Sequence, residues 1–190
     1  MIGVAETQSR LISGEELFTM GGIGPCELID GRIVAMSPTG QEHGTIEINV
    51  ALALKAFASS GRLGTVMGGE IGIYTRRNPD RVRAADVILI SNARRAQAPP
   101  SAGYLTVAPE VIVEILSPTD LWQEVRKKIE EYFAIGTEQV WIVEPANKAL
   151  LVYRSPTSAS KYGEEDTLTG EGILNGLTLP VAPLFAETGE

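Results

Sequence analysis

The sequence predicts an α/β fold built on a mixed central sheet. Three observations predict it. Residues 85–91 (ADVILIS) and 110–116 (EVIVEIL) are apolar at nearly every position, as strands covered on both faces are. The stretch from the Thr39 capping box to about Gly61 and residues 118–135 place apolar side chains at helical spacing. From Thr39 to Glu144 the order reads helix, strand, strand, strand, helix, strand, which suits helices packed on a mixed sheet.

Each element has a local cause. Ser13-Gly-Glu-Glu16 is a capping box and opens a short helix through about Met20, ended by Gly21, Gly22 and Gly24-Pro25. Asp30-Gly31 between two apolar-rich runs predicts an N-terminal hairpin. Thr39-Gly-Gln-Glu42 is a second capping box. Its helix carries Ile46, Val50, Leu54 and Phe57 on one face and stops near Gly61. Residues 63–75 read as a strand, "RRNPDR" as the loop after it, and 92–109 as a long Ala/Pro-rich loop. Glu110–Leu116 reads as a central strand. Ser117 as N-cap, Pro118 at N1 and Asp120 at N3 predict a helix start there, running to about Ile135 and halted by Gly136. "EQVWIVEP" and "KALLVYR" form a hairpin across Ala146-Asn147, and short C-terminal strands follow.

At 190 residues the chain is expected to form one domain, with 1–38 as N-terminal helix and hairpin, 39–145 as core and 146–190 as C-terminal strands. The composition, 44% hydrophobic and 21% charged, is that of a globular protein. No apolar run approaches the roughly 20 residues that span a bilayer, and MIGVAETQSR does not read as a secretory signal. A single cysteine, Cys26, permits no internal disulfide and fits a reducing cytoplasm. A single histidine, His43, excludes zinc sites built on two histidines and two-histidine nuclease motifs. The net charge of −8 opposes nucleic-acid binding by the whole surface. A local basic patch remains, with Arg76, Arg77, Arg81, Arg83, Arg94 and Arg95 close together in sequence.

The chemistry is in the charges placed on apolar strands. Strand alternation puts Asp86 on one face with Ile88 and Ile90, and Glu114 with Ile112 and Leu116. A lone buried carboxylate is unfavourable by roughly several kcal/mol, and two facing carboxylates repel. A divalent cation between them relieves both problems. With oxygen ligands and no histidine pair, Mg²⁺ is the natural candidate. In the helix that follows, at roughly 100° per residue, Leu121, Trp122, Val125, Ile129, Tyr132 and Phe133 make the core face. Lys128 borders that face and can aim at Glu114, while Lys127 points to solvent. An Asp, a Glu and a Lys around a cation are equipped for phosphodiester hydrolysis.

At these residues the chain resembles the Uma-type restriction endonuclease family, a domain-of-unknown-function group within the PD-(D/E)XK nuclease superfamily. The matching segments are "CELIDGRIVAMSP", the His in "QEHG", "ADVILI", "PEVIVEILSPTD", "KKIEEYFAIGTEQVWIVEP" and "GLTLPVAPLF", roughly residues 12–185. The resemblance implies a restriction-endonuclease-like αβββαβ core with extra N- and C-terminal β-hairpins. It implies Asp86 and Glu114 as ligands of Mg²⁺ or Mn²⁺, and Lys128 in the catalytic lysine role. Two positions depart from the superfamily pattern. Ala85 stands before Asp86 in place of proline, and Leu116 stands where a lysine would follow Glu114, so the lysine role falls to the helix.

Glu27, His43 and Glu70 are candidate accessories. Each has a plainer reading: Glu27 as an arginine-paired strand residue, His43 as a capping or packing residue, Glu70 as an interruption of its strand. Glu114 could likewise pair with an arginine, Asp86 could cap a loop, and Lys128 could lay its stem on the core. Ser117 reads as an N-cap, with Trp122, Trp141 and Tyr132 as core. Arg76, Arg77, Arg81 and Arg83 lead into Asp86, where a phosphate backbone would lie; otherwise they are solvated loop. The expectation is a metal-dependent DNA endonuclease acting as a homodimer, since two-fold symmetry suits cutting both strands. The alternatives are a non-catalytic module that keeps the fold and binds nucleic acid or protein, and a hydrolase of a smaller phosphorylated substrate.

Overall fold

The structure is a computed structural model that describes residues 10–98 and 103–187. The N-terminal segment read as no secretory signal and residues 99–102 of the long loop lie outside the described residues. Helix α1 (Gly14–Thr19) has the expected capping box, with Ser13 and Glu16 bonding each other's backbone amides. Strands β1 (Cys26–Ile29) and β2 (Arg32–Ala35) form the Asp30-Gly31 hairpin. Both turn residues have positive φ, 54° and 75°, as a two-residue turn matched to strand twist requires.

Helix α2 (Gln41–Ser60) buries Ile46, Val50, Leu54 and Ala58. Its N-cap is Gly40 and makes no side-chain cap bond, so the expected Thr39 capping box does not form. Strands β3 (Gly64–Arg76) and β4 (Arg81–Ser91) pair antiparallel along almost their whole length. This corrects the loop reading of Arg81 and Arg83: the hairpin ladder continues out to Arg76 opposite Arg81, so only the turn between them is loop. A short helix α3 (Asn92–Arg95), capped by Ser91, interrupts the expected long loop.

Strand β5 (Val111–Ile115) is buried at every position and runs antiparallel to β4 and parallel to β6 (Gln139–Glu144). Between them lies α4 (Trp122–Ala134), which starts later than predicted. Ser117 does not cap it. The Asp120 carboxylate accepts from the Ser117 amide at 2.8 Å, and the Asp120 amide bonds the Ser117 carbonyl at 3.0 Å, closing a turn ahead of the helix. Leu121 and Trp122, read as core, are therefore 69% and 40% exposed. Strands β7 (Ala149–Ser155) and β8 (Ser158–Tyr162) complete an eight-stranded mixed sheet, and β9 (Thr167–Thr169) pairs with β10 (Thr178–Pro180) in a separate two-stranded sheet.

The two sheet faces carry two cores, as the period of two demands. Val87, Leu89, Val111, Val113 and Trp141 pack against α2 and the C-terminal segment. Ile88, Ile112, Val140 and Ile142 pack against Val125, Ile129 and Tyr132 of α4. Among the described residues no helix is long and apolar enough to cross a membrane.

Candidate active site at the fork of β4

Strand β4 has β3 along one edge. Its other edge is shared: β1 pairs with it at Val82, and β5 pairs with it from Val87 to Leu89. Between those points β1 and β5 diverge, and carboxylates serve the backbone that the ladder leaves unpaired. Glu27 Oε1 accepts from the Ala84 amide at 3.1 Å, and Asp86 Oδ2 accepts from the Ile115 amide at 2.6 Å. A cavity of about 400 Å³ opens at this fork, lined among others by His43, Glu70, Asp86, Glu114, Asp120 and Lys128. The structure thus brings Asp86, Glu114, Lys128, His43 and Glu70 to one cavity, with Glu27 just behind it.

Glu114 is 8% exposed. Its Oε2 accepts from Lys128 Nζ at 2.9 Å and its Oε1 from the Tyr132 hydroxyl at 2.5 Å. Burial pushes its carboxyl up to about 7, with the Asp86 charge adding and Lys128 and Tyr132 opposing. Lys128 also pairs with Glu27 at 3.1 Å. Burial alone would lower its pKa, but the two carboxylates outweigh burial and hold it above the ordinary lysine value. Lys127 points away and pairs with exposed Glu124 at 2.7 Å. Glu27 is 6% exposed and held by Arg83 at 2.7 Å as well as by Lys128. Burial would raise its carboxyl; the two cations reverse this and the net direction is down.

His43, at the start of α2, directs Nε2 to Asp86 Oδ2 at 3.4 Å, and this contact raises its pKa against the effect of burial. Its buried Nδ1 has no partner in the structure. Asp86 Oδ2 is therefore shared between Ile115 and His43. Opposite Asp86, β3 carries a bulge: Gly68 pairs with Val87 and Ile71 with Ala85, so Gly69 and Glu70 face one residue. Both adopt positive φ, 87° and 59°, a conformation glycine takes freely and glutamate does not. The bulge places Glu70 on the cavity wall, as bulges beside functional sites do. Glu47, one turn after His43 on α2, accepts from the Gly69 amide at 2.7 Å and fixes the bulge. Burial, with Asp86 and Glu70, raises the Glu47 carboxyl.

Arg76, Arg77, Arg81 and Arg83 have carboxylate partners. Arg83 is buried between Glu27 and Glu131, and Arg81 bonds Asp30 and Glu131. Arg76 pairs with Asp30, and Arg77 with Glu15 and Asp80. Arg76 and Arg77 keep 44% of their side-chain surface exposed, against 18% for Arg81 and 7% for Arg83.

Among the described residues no three His, Cys, Asp or Glu are grouped to hold a metal. Mg²⁺ does not need three, because it keeps several waters and takes one or two carboxylates together with substrate phosphates. Asp86 and Glu114 fit that requirement. They line one cavity, and the repulsion that contributes to the raised Glu114 pKa is what a divalent cation removes.

Two residues of the site escaped the sequence reading. Tyr132 was assigned to the core, yet its hydroxyl serves Glu114; its position one turn after Lys128 was the available signal. Glu47 stands in the same relation to His43.

A crystal structure described as "a putative nuclease belonging to DUF820 from Anabaena variabilis ATCC 29413" superposes with a TM-score of 0.74. The match covers 92% of this chain and 97% of that one at 20% identity, a likeness of fold. No curated protein matches the chain. The family Uma2, described as "Putative restriction endonuclease", matches residues 16–182. The chain therefore belongs to the Uma2 family and has its nuclease-type mixed α/β fold.

Proposed function

We propose that the protein is a metal-dependent DNA endonuclease. The convergence of Asp86, Glu114 and Lys128 on one cavity carries this reading. Asp86 and Glu114 would hold Mg²⁺ or Mn²⁺, which when bound supplies Lewis-acid stabilisation of charge on a phosphoryl group. Asp86 has one oxygen committed to Ile115 and His43, which fixes its orientation and leaves Oδ1 for the cation. Tyr132 fixes Glu114 in the same way. Lys128 is a permanent cation beside both carboxylates, suited to the negative charge that develops on phosphate during attack. Glu27 gives Lys128 a second carboxylate partner besides Glu114 and would hold it beside a bound cation. His43 steadies Asp86, and Glu70 borders the entrance. Arg76 and Arg77, the more exposed arginines, would contact backbone phosphates, with Arg81 and Arg83 organising the carboxylates behind them. A cytoplasmic homodimer would present two such sites to a duplex.

One observation favours the non-catalytic alternative: both Glu114 oxygens already have partners, Tyr132 and Lys128. Plasmid nicking in Mg²⁺ or Mn²⁺ separates the readings. Cleavage is expected from the wild-type protein and lost in Asp86→Asn and Glu114→Gln. Absence of cleavage in either metal, or equal cleavage by the variants, would leave the binding module standing.

A further inference from the structure

We propose that a nucleobase pocket adjoins the catalytic cavity, in which a base unstacked from the substrate strand packs on Trp122. This deepens the nuclease reading and rests on it. A second cavity, of about 420 Å³, lies beside the first and shares Gly40, His43, Ser117 and Pro118 with it. Its volume is in the range of small-ligand sites. The four shared residues make the second cavity the neighbour of the one where the proposed function seats a phosphate.

The lining of the second cavity suits an uncharged guest with apolar surface. Trp122, Pro118 and Pro145 line it with apolar surface. Trp122 is 40% exposed although the phase of α4 allots it to the core, because the helix starts only at that residue. An aromatic face left open beside a phosphodiester site is what base stacking uses. No lysine or arginine lines the cavity; Glu42 and Glu144 do, Glu144 being paired with Lys161 at 3.3 Å. A phosphate finds no cation on the cavity wall and meets Glu42, and the base is the uncharged part of a nucleotide. The Gln41 and Asn147 amides add donors and acceptors of the kind that bond base edges. With phosphate in one cavity and base in the next, that base has left any helical stack. The substrate class is therefore a strand unpaired at that nucleotide: a base turned out of a duplex, and more readily single-stranded DNA, a frayed end or a junction.

The two tryptophans make the test direct. Trp141 is fully buried, so emission that responds to an aqueous ligand belongs to Trp122. In metal-free buffer, deoxyadenosine 5′-monophosphate should quench that emission, and inorganic phosphate and deoxyribose 5-phosphate should not. A single-stranded oligonucleotide should bind about tenfold more weakly to Trp122→Ala, with affinity retained in Trp122→Phe, as loss and retention of stacking require. Quenching by phosphate alone would overturn the proposal. So would duplex binding that equals single-strand binding and is unaffected in Trp122→Ala. Asp86-dependent cleavage without nucleotide quenching removes the pocket and keeps the nuclease. Quenching without cleavage in any metal keeps the pocket and removes the nuclease.

Discussion

Replacing Glu114 by glutamine removes one charge and keeps the shape, with one amide oxygen left to accept from either Tyr132 or Lys128. Burial, the largest cause, lifts the carboxyl from 4.5 to about 7. A raised folded pKa means the folded chain binds the proton more tightly than the unfolded chain. The resulting stabilisation is complete below the unfolded value of 4.5 and is lost as pH rises through about 7. Across that window the loss amounts to about 3 kcal/mol, with the opposing contacts of Lys128 and Tyr132 already included. Glutamine is neutral throughout and escapes it. In metal-free buffer Glu114→Gln should match wild type near pH 5 and exceed it at pH 8. At about 2–4 °C per kcal/mol for a chain of this size, the melting temperature should rise by up to roughly 10 °C. Millimolar Mg²⁺ should raise the wild-type melting temperature by mass action and leave the variant unmoved. Calorimetric melts at the two pH values, with and without metal, check both halves. A variant less stable than wild type at pH 8 would refute the reasoning, because the Lys128 pair would then outweigh the burial of the charge.

Three further outcomes follow from the same geometry. Lys128→Ala should lower the cleavage rate by roughly two to three orders of magnitude, as loss of a transition-state charge partner does, while Lys127→Ala leaves it unchanged; equal rates would remove Lys128 from the site. Tyr132→Phe leaves Glu114 Oε1 without its donor, so denaturant titration should show a loss of about 1–3 kcal/mol, and calorimetric titration should show weaker Mg²⁺ binding. If Arg76 and Arg77 contact phosphates, replacing both by alanine should flatten the slope of DNA affinity against salt by about 2 on a log–log plot; an unchanged slope would confine them to their pairs with Asp30, Glu15 and Asp80.

The sequence made legible what short-range rules control. Asp30-Gly31 specified its hairpin because few residue pairs tolerate two positive φ angles. Strand alternation assigned Ile112 and Glu114 to the face that α4 covers, and helical phase separated Lys128 from Lys127. The rest depended on competition between equally good local solutions. Ser117, Pro118 and Asp120 satisfy the rules for a helix start and also those for a side-chain-closed turn, and the turn formed. That choice moved Leu121 and Trp122 from the core to the surface. Arg81 and Arg83 looked like loop because charged residues seldom enter a buried strand, and their partners Glu27, Asp30 and Glu131 are remote in sequence. Tyr132 and Glu47 were missed because an apolar phase plot does not register what a hydroxyl or a carboxylate bonds.

The fork in β4 also divides the protein's resistance to opening. Beyond Asp86 the strand belongs to a slab held by continuous ladders through β5, β6 and β7. Before it, the β1–β2 hairpin joins that slab through one registered pair, Leu28 with Val82, the Gly31 amide on the Asp80 carbonyl, a small apolar cluster of Leu17, Leu28 and Val82, and ion pairs around Glu27 and Arg83. A three-residue cluster with ion pairs is a smaller hold than a ladder buried at every position, so the hairpin should open at lower free energy than the slab. Glu27 travels with the hairpin, and Asp86 and Glu114 with the slab. Opening of the hairpin therefore removes one of the two anchors of Lys128 while Asp86 and Glu114 stay seated in the slab.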